Sequence, residues 1–171
     1  MENIVDKKDQ EEVVISGRDM IGVIQAVQER GADCRLKVSG SSMRPAIRGH
    51  DVVTVSPLGE AVPFVGEVVA FRHPQGDRLI LHRVVRRRHR LFSIRGDSLR
   101  KIDAPIPLEN ILGHITGVER DGRAIFWPHR GRRPLTARLY FRWYLAYLAG
   151  RRTLKSLYRY LKSWRKGRMR V

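Results

Sequence analysis

The chain of 171 residues is long enough for one ordinary domain with an appendage and too short for two catalytic domains. Its apolar fraction of 42%, with only 15 glycines and 8 prolines, excludes a fully disordered chain. The single cysteine, Cys34, excludes an internal disulfide and a multi-cysteine zinc site. We therefore predict no cofactor and no metal, and a cytoplasmic location, since nothing in the chain needs an oxidising compartment.

The net charge of +17 is distributed unevenly along the chain. Residues 1–122 carry 19 lysines and arginines against all 17 acidic residues, whereas residues 123–171 carry 15 lysines and arginines and no acid. Charge of this size governs partners such as anionic lipids, other phosphates or nucleic acid rather than the fold. The sequence therefore predicts a body, residues 1–122, whose positive and negative charges nearly cancel, and a strongly basic tail, residues 123–171.

A short helix is the first predicted element. Residues 1–15 lack the order of a secretory signal peptide and are predicted to be a flexible N-terminus. Over residues 17–31, Ile21, Ile24 and Val27 share one face of an amphipathic helix. This helix is too short to span a bilayer, and no stretch of the chain reaches the roughly 18 apolar residues that a transmembrane helix needs.

From Leu36 the apolar residues recur with a period of two, which indicates strands. The runs rich in Val, Ile and Phe are separated by Gly, Pro, Asp and Ser. They are DVVTV, GEVVAF, RLILHRVV, LFSIRG, ILGHITGV and RAIFW. Between the last two, Asp121-Gly122 is a hairpin signal, because glycine tolerates the positive φ of tight turns. The sequence thus predicts a mostly β domain over residues 16–128.

Residues 129–171 are predicted to form a basic helical tail after a short linker. Apolar residues recur there at mostly three and four positions, with cations between and opposite them. These residues are Leu139, Trp143, Tyr147, Leu154, Leu157, Leu161 and Trp164. Such a helix either lies in an anionic membrane interface through residues 135–168 or packs on its own domain with a solvated basic face. Nucleic acid is the weaker third partner, because the body lacks zinc, glycine-rich or aromatic-platform signatures.

The segment VSGSSMRPAIRGHDVVTV contains a candidate nucleophile, Ser42, in a glycine-containing loop after a strand-like run. Exposed serines in such loops are common, so residue type alone does not separate a nucleophile from an ordinary loop serine. A serine nucleophile also needs a base, because its hydroxyl is barely ionised at neutral pH. The interpretation of Ser42 therefore depends on finding that base.

His82 is the candidate base, because the alternation of its strand places it on one face with Ile80 and Val84. It is either a core histidine satisfied by a backbone carbonyl or a partly desolvated, neutral general base. Two acids follow, Asp97 and Asp103. Each either organises a turn or holds the histidine and stabilises its charged form.

Together these blocks resemble the type I signal peptidase family of the S24/S26 peptidase superfamily. The ordered set is Gly-x-Ser-Met-x-Pro, HDVVTV, VGEVVAF, LHRVV, RGDSLRKID and ILGHITG, over roughly residues 36–118. The pattern is similar to the endoplasmic-reticulum, archaeal and sporulation-type branch, in which histidine stands where most bacterial enzymes have lysine. The resemblance implies a coiled, barrel-like sheet of the signal-peptidase/LexA-like fold.

The resemblance also implies a serine endopeptidase that cleaves a peptide or protein precursor. Ser42 would be the nucleophile, His82 the general base and Asp103 the orienting acid, with Asp97 as the runner-up for that last role. Gly40, Ser41 and Met43 would form the oxyanion region.

A second class of function stays open beside the peptidase. In this alternative the β domain is catalytically silent and binds an anionic membrane or another polyanion through its basic C-terminal helix. The two hypotheses differ in one structural requirement, since only the peptidase needs Ser42 and His82 to lie within hydrogen-bonding reach.

Overall fold

The structure is a computed structural model of the chain. It describes residues 17–76, 78–127, 139, 142–151, 153 and 154. The predicted flexible N-terminus and the predicted linker after residue 128 lie outside the described residues. The same holds for three apolar positions of the tail, Leu157, Leu161 and Trp164.

The described elements follow the predicted order of helix, strands and helix. They are α1 (Gly17–Glu29), β1 (Cys34–Lys37), β2 (Val52–Ser56), β3 (Val68–Arg72), β4 (Leu79–Arg88), β5 (Leu91–Arg95), β6 (Ile106–Pro107), β7 (Ile111–Arg120) and β8 (Arg123–Ala124). A short 3₁₀ turn, Leu108–Asn110, joins β6 to β7. The C-terminal helix comprises residues 142–151, 153 and 154, with residue 139 also helical.

All the strands pair antiparallel in one sheet with the order β1-β2-β7-β3-β4-β5-β6, and β8 pairs with β7. Register shifts interrupt the pairings of β2 with β7, β3 with β7 and β4 with β5. Such irregularities bend strands and increase their twist, and the sheet curls into a half-barrel. The predicted fold class, a mostly β coiled sheet with a short N-terminal helix and a C-terminal helix, is confirmed.

Strand β3 is covered on both of its faces. Val68 and Ala70 belong to one buried apolar cluster, which α1 completes, whereas Val69 and Phe71 belong to a second cluster. A strand that is buried on both sides reads as a continuous apolar run rather than an alternating one. This explains the sequence GEVVAF and places β3 at the centre of the sheet, next to the strand that carries His82.

The β7–β8 hairpin has the predicted turn. Asp121 and Gly122 both have positive φ, 51° and 73°, as a two-residue hairpin turn of the common primed type requires. Arg120 pairs with Arg123 on either side of the turn. The hairpin prediction is confirmed.

The C-terminal helix packs on the β domain, but not through the predicted apolar stripe. Tyr144 and Leu148 are buried, and the guanidinium carbon of Arg83 lies 4.6 Å from the centroid of the Tyr144 ring. The stripe residues that the structure describes are exposed instead; they are Leu139, Trp143, Tyr147 and Leu154. Among the described residues no helix is long and apolar enough to cross a bilayer.

Candidate active site

Ser42 lies in the loop between β1 and β2, and the base of this loop is closed by backbone hydrogen bonding. The Val38 N–H donates to the Asp51 carbonyl at 2.8 Å. Met43 and Ile47 are buried in the first apolar cluster, and the Ile47 N–H donates to the Met43 carbonyl. The turn is therefore anchored by apolar side chains while Ser42 stays half-buried at the surface.

An ion pair ties the same loop to β7. Arg120 donates to both carboxylate oxygens of the buried Asp51, at 2.9 and 2.7 Å, and the Arg48 N–H donates to Asp51 at 2.8 Å. Burial alone would raise the pKa of Asp51, but the hydrogen bonds and charges of Arg120 and Arg48 lower it below its ordinary value. The carboxylate is therefore held in its charged form, and the loop is fixed to β7 at its base, where β2 begins.

The three residues of the predicted oxyanion region have different environments. Gly40 has φ of +92°, a left-handed conformation that favours glycine, and it is exposed. Ser41 is exposed, and its carbonyl accepts a hydrogen bond from the Ser98 hydroxyl at 3.0 Å. The Met43 side chain points into the core, so Met43 can contribute only backbone groups at the surface.

His82 is held by β4 at a buried position beside Ser42. It is in register with Val69 of the central strand, and its ring centroid lies 6.2 Å from that of the buried Phe71. Its Nε2 lies 3.1 Å from the Ser42 hydroxyl oxygen, and its Nδ1 lies 2.6 Å from a carboxylate oxygen of Asp103. The structure thus brings together Ser42, His82 and Asp103 in one hydrogen-bonded row.

The direction of these two hydrogen bonds follows from the acceptor. An ionised carboxylate can only accept, so Nδ1 of His82 donates to Asp103. In a neutral imidazole the other nitrogen then carries a lone pair, and Nε2 accepts from the Ser42 hydroxyl. Asp103 is itself positioned by its backbone N–H, which donates to the Ile94 carbonyl of β5 at 2.9 Å.

Asp97 has a different partner. Its two carboxylate oxygens accept from Nε and Nη2 of Arg83 at 2.8 and 2.7 Å, and Arg83 also donates to the Gly66 carbonyl at 2.7 Å. The Arg83 and Asp97 side chains are 1% and 2% exposed. Successive residues of a strand point to opposite faces. Arg83 therefore directs Asp97 to the face of β4 opposite His82.

Gly96 and Ser98, on either side of Asp97, form the back of the site. A Cβ at Gly96 would lie 2.8 Å from the Ser42 carbonyl oxygen and 2.9 Å from Nε2 of His82. The Ser98 N–H donates to the Ser42 carbonyl at 2.8 Å, and its hydroxyl lies 2.9 Å from the same oxygen. Of these three residues, only Asp97 was predicted from the sequence. The small residues on either side of this acid in RGDS were the available signal, because small residues permit a close approach of backbones.

A cavity of about 550 Å³ opens beside Ser42 and His82. Two strand edges border it. Within the described sheet, β1 pairs with β2 alone, and residues 79–82 of β4 pair with β3 alone, because the pairing of β4 with β5 begins at Arg83. A strand edge that has no neighbouring strand can add an extended peptide as a further strand.

In the described part of the chain, no group of three or more His, Cys, Asp or Glu side chains is arranged to hold a metal ion. The thiol of Cys34 is buried on β1, and burial raises its pKa. A raised pKa leaves the thiol protonated and unreactive.

A family model described as Peptidase S24-like matches residues 3–106 of the chain. The matched span is more than half of the chain and includes Ser42, His82, Asp97 and Asp103. No curated protein matches the chain.

Proposed function

Because the chain belongs to the peptidase S24-like family, and its domain is of the serine peptidase type, we propose that it is an endopeptidase with Ser42 as the nucleophile. In this proposal His82 is the general base and Asp103 the orienting acid. The superfamily that the motifs indicated is confirmed, whereas the signal-peptidase branch belongs to the proposal.

One observation carries the proposal: a continuous row of hydrogen bonds from the Ser42 hydroxyl through both nitrogens of His82 to Asp103. A loop serine without catalytic function has no need of a buried imidazole at 3.1 Å. A histidine with only a structural role in the core is satisfied by a backbone carbonyl. The two ring nitrogens of His82 instead face a serine hydroxyl, which can act as a nucleophile, and a carboxylate, which can orient the imidazole.

The reaction follows from this arrangement. His82 Nε2 takes the proton of Ser42 as its oxygen bonds to the peptide carbonyl carbon, and Asp103 stabilises the imidazolium that forms. Backbone N–H groups of the turn at residues 40–43 donate to the oxyanion, and each such donor is worth about 3 to 4 kcal/mol. His82 then protonates the leaving amine as the C–N bond breaks. Water attacks the resulting ester with His82 again as base, which releases the acid and restores Ser42.

The cavity supports an extended peptide or protein precursor as substrate. Its walls are the β1 side, residues 36–40, and the β4 side, residues 79–82, with Leu99 and Met20 adding apolar surface. In the proposed complex the substrate main chain pairs with one or both strand edges, and its side chains enter the apolar space. This geometry would place the scissile carbonyl at the end of the cavity where Ser42 lies.

The test is cleavage of a peptide library together with labelling by a fluorophosphonate, which acylates activated serines. We expect Ser42→Ala and His82→Ala to lower cleavage by at least about 10⁴-fold, and Asp103→Asn by about 10⁴-fold.

Two matched variants, Ser93→Ala on β5 and His73→Ala after β3, remove the same groups away from the site and should cleave like the wild type. Mass spectrometry should find the label on Ser42 in the wild type. Equal labelling and cleavage in Ser42→Ala would refute the proposal. A wild type that neither cleaves nor takes the label would favour the catalytically silent domain.

A further inference from the structure

The C-terminal helix has two apolar faces, and only one of them contacts the β domain. Tyr144 and Leu148 form the contacting face and are 8% and 4% exposed. The other face is 44% to 69% exposed; it consists of Leu139, Trp143, Tyr147 and Leu154. Their spacings of four, four and seven residues place them on one side of an α-helix. We name this set the outer stripe.

The aromatic residues of the outer stripe lie against each other and next to further exposed apolar surface. The rings of Trp143 and Tyr147 are stacked, with centroids 6.1 Å apart and planes at 13°. Tyr147 lines one cavity with Phe126, which is 78% exposed, so the stripe extends from the helix to the end of the β domain. Single exposed apolar residues are ordinary, but a connected patch of aromatic rings and leucines marks an interaction surface.

The charge around the stripe identifies the kind of partner. Residues 123–171 carry 15 lysines and arginines and no acidic residue, and Arg142 and Arg151 are exposed on the helix itself. The partner must therefore supply dense negative charge and, directly beneath it, an apolar layer that receives Trp143 and leucines. A nucleic acid supplies only the first of these, whereas an anionic bilayer supplies both.

We propose that the C-terminal helix docks on an anionic lipid bilayer, with the outer stripe in the boundary between headgroups and acyl chains. The arginines lie against the lipid phosphates. Because Tyr144 and Leu148 fix the helix to the β domain, docking also holds that domain at the bilayer surface. The inference rests on the helix alone and does not depend on peptidase activity.

The test uses the full chain with vesicles of phosphatidylcholine alone or mixed with phosphatidylglycerol. The double variant Trp143→Ser/Leu154→Ser removes two of the four apolar side chains of the outer stripe without changing the net charge. Leu91→Ser is its matched control, because Leu91 is an exposed leucine on β5. Co-sedimentation gives the affinity, tryptophan emission reports burial in lipid, and thermal unfolding verifies that each variant is folded.

We expect the wild type to bind anionic but not neutral vesicles, with a blue shift of its tryptophan emission. The double variant should bind anionic vesicles at least about tenfold more weakly, whereas Leu91→Ser binds like the wild type. Equal binding by a folded double variant would mean attraction by charge alone and would overturn the proposal. Equal binding to neutral vesicles, or tighter binding to a single-stranded RNA or DNA at the same salt concentration, would also overturn it.

Discussion

The β domain and the C-terminal segment use their arginines in opposite ways. In the β domain Arg83 and Arg120 form ion pairs with the buried carboxylates of Asp97 and Asp51. In residues 123–171 no acidic residue exists, so no arginine can form an ion pair within that segment. Arginine therefore fixes backbone positions around the candidate site in the β domain, whereas any acidic partner of an arginine in residues 123–171 must lie outside that segment.

The two regions meet at one of these internal ion pairs. The ring of Tyr144 lies over the guanidinium of Arg83, whose neighbour in β4 is His82 and whose partner, Asp97, follows Gly96. A cation against an aromatic face contributes about 0.5 to 2 kcal/mol. The helix is therefore attached where the β domain positions its candidate base, although it supplies no group to that base.

The largest expected difference between the regions concerns the loss of one arginine. Arg83→Met should lower the free energy of unfolding by about 3 to 5 kcal/mol, because Asp97 stays buried without its two hydrogen bonds from Arg83. Arg151→Met on the C-terminal helix should change it by no more than about 0.5 kcal/mol. Arg35→Met, which removes an exposed ion pair with Glu119, should cost at most about 1 kcal/mol.

Urea unfolding of the three variants measures these differences. If Arg151→Met lowered the free energy of unfolding as much as Arg83→Met, the arginines of the two regions would not differ in their contribution to stability.

Two glycines give a matched substitution in the two regions. Gly96→Ala should lower cleavage and serine labelling by about 100-fold, because the new Cβ would displace Ser42 or His82. Gly150→Ala on the C-terminal helix meets nothing within 4 Å and should stabilise the protein by about 0.5 to 1 kcal/mol. Enzyme assays and thermal unfolding on both variants separate the effects. A Gly96→Ala variant with wild-type activity would contradict the close packing behind the site.

The third comparison between the two regions concerns the pH dependence of stability. The pKa of Asp51 is lowered in the folded protein, so this residue stabilises the fold above its unfolded pKa and the stabilisation is lost as pH falls through the folded pKa. Asp51→Asn should cost about 1 to 3 kcal/mol at pH 7 and should remove part of the decline in stability below about pH 4. Arg142→Gln, on the helix, should keep the wild-type pH dependence. Denaturant unfolding between pH 7 and pH 3 measures both, and identical slopes for Asp51→Asn and wild type would contradict the prediction.

The sequence by itself determined those features that depend on local chemistry. Alternating β-branched residues predict strands wherever they occur, and Asp121-Gly122 predicts its turn because few other pairs accept two positive φ angles. The order of the motifs was enough to indicate the superfamily. The strand that escaped prediction, β6, has two residues, too few for a period to be recognised.

The tertiary structure decided which partner each side chain has. Residue type alone left both Asp97 and Asp103 open, and the family resemblance favoured Asp103. In the structure, the opposite directions of His82 and Arg83 on β4 give each acid a different partner. The same is true of the tail, in which the spacing of apolar residues shows one stripe. The helix nevertheless packs on the β domain through Tyr144, whose ring lies over the guanidinium of Arg83. The period of the apolar residues shows which residues of a helix or strand share a face. It does not show what that face packs against, because the packing surface is formed by residues distant in the chain.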